Sequence, residues 1–187
     1  MQQSQTQQTI ATARALRNLY FIRAGFSIGW VTLVALFANQ SMVAATLLLI
    51  AYPAWDVVGT LLDIRIHRTH SSVLPHYINA TISTITTIAV GIALTKGIPE
   101  VLIVFGVWAI LTGLIQLVLG IKRRKVLGGQ WPMILSGAQS MLGGCSFIVL
   151  AHQPTMGINS LAGYSAFGAF YYLLSAFRLS KTINTAG

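Results

Sequence analysis

Apolar residues run in six long stretches along this chain, and the polar residues collect between them. The stretches cover about 18–37, 41–62, 73–94, 98–120, 130–151 and 156–177, each near the roughly 20 residues with which a helix spans ~30 Å of hydrocarbon. None alternates with period two, so helices rather than a closed barrel must satisfy the backbone there. The pattern predicts an all-α membrane protein with six transmembrane helices arranged as three tandem helical hairpins. It divides the chain into a polar segment 1–17, a membrane domain 18–180 and a short tail 181–187. The first segment is rich in Gln and Thr and lacks the charged-then-apolar layout of a leader, so span one reads as an uncleaved signal anchor.

The sparse charges orient these spans. Twelve Lys and Arg and three Asp and Glu are the only charges among 187 residues. Arg14, Arg17 and Arg23 lie at the start of span one, and Arg65 and Arg68 follow span two. Lys122, Arg123, Arg124 and Lys125 follow span four; Arg178 and Lys181 close span six. Lys96 alone falls on the other side, near Glu100. Basic residues accumulate on the cytoplasmic face, so both termini are expected there, in a multi-pass protein of a bacterial inner membrane. The net charge of +9 then points to anionic lipid headgroups as partners and not to nucleic acid, because no soluble domain gathers it. Cys145 is the single cysteine, which excludes an intrachain disulfide.

An internal period accompanies the hairpins. Gly59, Gly113 and Gly168 each precede a basic exit and stand 54 and 55 residues apart. The odd spans carry small residues one turn apart: Gly25 and Gly29; Ser83, Thr87 and Gly91; Ser136, Ser140 and Gly144. Such stripes let helix backbones approach closely in lipid, so these residues are expected to pack helices, within the chain or against a second copy or another membrane protein.

Three short hairpin repeats, six spans and cytoplasmic termini, with segments such as 108–125 (WAILTGLIQLVLGIKRRK) and 130–151 (QWPMILSGAQSMLGGCSFIVLA), resemble the HdeD-like family of small bacterial inner-membrane proteins. That is a short-repeat family of unknown function. The resemblance covers most of 18–180 and implies the fold and location; the acid-resistance association of the family's name member implies a stress role by analogy. The family pattern supplies no functional residues.

Ionisable residues at membrane depth are the candidates for a site. Asp56 lies about seven residues, or ~10 Å, inside the cytoplasmic end of span two, and Arg23 lies at similar depth on span one. Neither is cheap to leave alone in hydrocarbon, so the two are expected to pair. The pair reads either as a structural fixture of hairpin register or as part of a proton or solute pathway. Pro53, one turn from Asp56, is expected to kink span two. Asp63, Arg65, His67, Arg68, His70 and His76 crowd the next connection; they read as a solvated cytoplasmic loop touching headgroups, or as a pH-responsive patch. Tyr20, Phe21, Tyr77, Trp131 and Phe177 read as interfacial anchors. Trp55, Trp108 and Tyr164 occupy equivalent places in the even spans, as packing residues or as walls of a cavity. No catalytic motif, metal-ligand spacing or cofactor signature is present, so no enzyme, cofactor or metal is expected. Two readings remain: a structural or stress-related protein that binds lipid or partner proteins, and a minimal transporter or channel built on Arg23 and Asp56.

Overall fold

The computed structural model describes residues 2–67, 73–127 and 130–186, and these form six helices with no strand among them. They are α1 (Gln2–Phe37), α2 (Met42–His67), α3 (Leu74–Ala93), α4 (Ile98–Leu127), α5 (Trp131–Val149) and α6 (Ile158–Ala186). Four contain segments long and apolar enough to cross a membrane: Ile10–Phe37, Met42–Ile66, Ile98–Lys125 and Trp131–Val149. The other two, α3 and α6, carry polar residues that face an interior cavity, His76 and Asn79 on one and Tyr164 and Tyr172 on the other. Proline in the first turn of α3 and of α5 fixes two helix starts, where its missing N–H costs nothing. Gly97 makes the α3–α4 turn at φ 142°, a conformation open to glycine and strained for other residues.

Each helix neighbours the next in sequence, and α6 closes the ring against α1. One end of the ring is sealed by an apolar cluster that includes Trp30, Val34, Leu49, Val90, Leu102, Phe105, Phe147 and Leu161. The α1–α2, α3–α4 and α5–α6 connections lie at this end. At the other end α1 runs well beyond the predicted start of span one. Its polar segment is helical because Ala13, Leu16, Leu19 and Tyr20 recur at helical spacing, and they pack on Ala176, Leu179 and Ile183 of α6. Pro53 lies buried inside a continuous α2. Nearby, Trp30 Nε1 donates to the Leu48 carbonyl at 2.8 Å, one residue from the carbonyl that Pro53 deprives of its helical partner.

The tightest seam joins α4 to α5. Gly106, Gly113 and Gly120 stand seven residues apart on α4, and Gly137 and Gly144 stand seven apart on α5. A Cβ on Gly113 would fall 2.8 Å from the Gly137 carbonyl oxygen, and one on Gly144 would fall 2.5 Å from that of Gly106. Seven-residue spacing keeps such a stripe on one line along two crossing helices, so backbone meets backbone over several turns. The stripe expected on α1 behaves differently. Gly25 and Gly29 are exposed, and a Cβ on either would meet nothing within 4 Å. Gly91 has the same empty surroundings. Ser83 is buried, but toward the interior, and Thr87 donates to the Ser83 carbonyl within its own helix at 2.8 Å. Ser136 and Ser140 line the cavity, and Ser140 also lies on the seam, since a Cβ on Gly113 would fall 2.8 Å from its Cβ, so Ser140 and Gly144 are the residues of the expected stripes that meet α4 closely.

Gly113→Leu should therefore cost about 1–3 kcal/mol or more by overpacking, whereas Gly29→Leu should leave the thermal midpoint unchanged. Circular-dichroism melts of both variants in detergent check this, and an equal loss in the two would contradict the seam.

Candidate functional site

Helical spacing gathers the polar residues on inward faces. On α1 these are Tyr20, Arg23 and Ser27; on α2, Asp56, Thr60 and Asp63; on α3, His76, Asn79 and Ser83. The steps are three and four residues, one face of a helix. All but Ser83 line a central cavity of ≈ 390 Å³, which Trp108, Gln116 and Arg123 of α4, Gln130, Ser136 and Gln139 of α5 and Tyr164 and Tyr172 of α6 complete. Trp55 belongs to the same lining, so the three equivalent aromatics Trp55, Trp108 and Tyr164 wall the cavity together.

Arg23 and Asp56 meet across α1 and α2, with Arg23 Nη1 2.8 Å from Asp56 Oδ1. Further hydrogen bonds surround the pair. Arg23 Nη1 also donates to Tyr172 Oη at 3.1 Å and Nη2 to Thr60 Oγ1 at 3.4 Å. The second carboxylate oxygen accepts from Asn79 Nδ2 at 2.8 Å and from Ser83 Oγ at 2.7 Å. Asn79 donates to Thr60 at 2.8 Å, and Trp108 Nε1 reaches Ser83 Oγ at 3.0 Å. Five helices thus meet at one carboxylate–guanidinium pair. Gly59 makes room for it, since a Cβ there would lie 2.8 Å from Arg23 Cζ.

A second pair lies two turns along α2. Arg123 Nη2 stands 3.1 Å from both oxygens of Asp63, Nη1 donates to Tyr20 Oη at 3.4 Å, and Nη2 is 3.3 Å from His76 Nε2. His76 Nδ1 faces Asp63 at 3.5 Å. This overturns the expectation of a solvated loop for these residues: Asp63 and His76 are buried, 8% and 3% exposed. The reason is that α2 continues past the predicted end of span two, and that Asp63 and His76, the latter at the entry of span three, lie on the inward faces of α2 and α3. Arg65 is exposed, as a loop or headgroup residue would be. The His67 side chain and all of Arg68 and His70 lie outside the described residues. Tyr20, expected as an interfacial anchor, is 2% exposed and belongs to this second network, whereas Phe21, Tyr77, Trp131 and Phe177 are exposed.

Most lining residues are buried or half-buried. The exposed ones are Leu142 and Ser146 on α5 and Phe167 on α6, so the cavity reaches the surface between these two helices. Tyr164 donates to Ser140 at 3.0 Å across the same gap. Helical spacing on α2 held a signal for the second pair, because Asp56, Thr60 and Asp63 share one face; Arg123, in a run of four basic residues, carried none. Comparison with protein families, curated proteins and solved structures finds no match for this chain.

Arg23→Gln and Asp56→Asn should each cost about 3–5 kcal/mol, since either leaves a charge buried without its partner. The double variant should recover part of that loss. Thermal or denaturant unfolding of the four proteins closes the cycle, and strict additivity would refute the coupling.

Proposed function

We propose that this is a multi-pass protein of the bacterial cytoplasmic membrane that takes a small solute into its interior cavity, the binding step of a minimal carrier. The observation that supports it is the ≈ 390 Å³ space around Arg23 and Asp56, which reaches the surface at the level of the apolar belt. That volume is in the range of small-molecule sites, which join apolar walls to a few placed polar groups. All six helices cross in this reading. On α3, Ile85, Ile88 and Ile92 are exposed, and on α6 so are Phe167, Phe170 and Phe177, giving them the same apolar exterior as the other four. The basic residues at one end of the spans support cytoplasmic termini.

A purely structural role accounts less well for the interior. Packing alone would favour filling this space with apolar side chains, as the sealed end of the ring is filled. Proton conduction is also less well supported, because both oxygens of Asp56 are engaged, by Arg23 on one and by Asn79 and Ser83 on the other. The acid-stress role rests on the family resemblance alone.

Two measurements test this. Reporter fusions at the C-terminus should score cytoplasmic and at Lys96 periplasmic. In a Cys145→Ser background, N-ethylmaleimide should modify Ser136→Cys, which lines the cavity, while Ala109→Cys, buried outside it, reacts only after denaturation. Protection of both positions would mean a closed interior and would favour the structural role.

A further inference from the structure

We infer that the cavity takes an uncharged amphiphile, admitted from the bilayer between α5 and α6, whose hydrogen-bonding headgroup is received by the Gln130 amide. This rests on the solute-binding reading above and names its ligand class.

The first observation is an unspent amide. Gln130 is 1% exposed and lines the cavity, yet neither its Nε2 nor its Oε1 has a hydrogen-bond partner. Buried polar groups are nearly always paired, and an amide with both ends open offers a donor and an acceptor together. The indole N–H of Trp55, on the same lining, is buried and unpartnered too. A hydroxyl, ester or amide head fits such groups, since it can give and accept at once.

Charge balance supplies the second observation. The four charged side chains on the lining are Arg23, Asp56, Arg123 and Asp63, and each is paired with another of the four. The His76 ring lies against Asp63 and Arg123. An ionic ligand would have to break a pair or enter uncompensated, and both are strongly disfavoured in a low-dielectric interior. A neutral head meets no such barrier.

The opening gives the third. Leu142 is 71% and Phe167 59% exposed where the cavity reaches the surface, so the way in is apolar and faces the belt. The cavity holds a head and the start of a chain; the remainder of a tail would stay in the hydrocarbon between α5 and α6. Gly168 lines this side, and a Cβ there would meet nothing within 4 Å, so a larger side chain occupies the ligand's space without displacing the fold.

The test uses the full chain in phosphatidylcholine nanodiscs and chain-brominated probes that quench Trp55 and Trp108. A monoacylglycerol is compared with an alkyl sulfate and an alkyltrimethylammonium of equal chain length. The monoacylglycerol should quench saturably, and the charged probes should bind at least tenfold more weakly. Gln130→Leu should weaken the monoacylglycerol more than tenfold while keeping or raising the thermal midpoint, because it removes an amide that the empty protein leaves unpaired. Gly168→Leu should abolish saturable quenching in a protein that still melts cooperatively. Equal, Gly168-sensitive binding of a charged probe would overturn the ligand class and leave the cavity reading standing. Undiminished affinity in Gln130→Leu would overturn the headgroup site. If no probe binds while Ser136→Cys is modified, this inference fails alone; if Ser136→Cys is protected as well, both readings fail.

Discussion

A charge removed from water must find its opposite, and in this ring of apolar helices that requirement is met twice within two turns of α2. Asp56 could be satisfied by Arg23 alone, but a carboxylate has two oxygens and a guanidinium five N–H groups, so the pair draws in Thr60, Asn79, Ser83 and Tyr172. Those residues come from α2, α3 and α6, and Trp108 of α4 bonds to Ser83 in turn. The register of five helices is thereby tied to one interaction. The Asp63–Arg123 pair does the same nearer the ring's other end, joining α1, α2, α3 and α4.

Glycine placement decides where the ring is tight and where it is open. On α5, Gly137 and Gly144 press against the backbone of α4 and hold the two helices as one unit. Toward α6 the same helix presents Leu142, Gly143 and Ser146, and side chains rather than backbones bridge the two helices: Gly143 lies near the Tyr164 ring, Ser140 accepts from Tyr164, Phe147 packs edge-on against Tyr164, and Arg178 lies over the Trp131 ring. One face of α5 is thus a seam and the other borders an opening. Helix association in lipid depends on packing, with no water to drive it, so the less tightly packed α5–α6 boundary is where the proposed ligand would enter.

How much of this was legible in the sequence depended on which property carried it. Six apolar stretches gave six helices, because hydrophobic runs act locally. The α1 extension was hidden by its Gln and Thr, which outweigh the Ala13, Leu16 and Leu19 stripe in any average of polarity. Asp63, His76 and Arg123 read as loop residues because charge beside an apolar stretch ordinarily marks its end; that they face each other depends on α2, α3 and α4 meeting in space. The packing stripe was sought at four-residue spacing and lay at seven, on Gly106, Gly113 and Gly120. The open amide of Gln130 left no trace in the sequence, since having no partner is a property of the assembled fold.

The balance of the interior also bears on what kind of site this is. A binding cavity with a net charge attracts its ligand over distance and couples binding to the membrane potential, at about 2.3 kcal/mol per elementary charge per 100 mV. Here the two guanidinium groups and two carboxylates on the lining pair among themselves at 2.8 and 3.1 Å, so little field is left to select an ion. Discrimination then falls to shape and to individual hydrogen bonds. The charges serve to hold the ring in register, and the neutral groups, Gln130 and Trp55 foremost, are what remains to recognise an occupant.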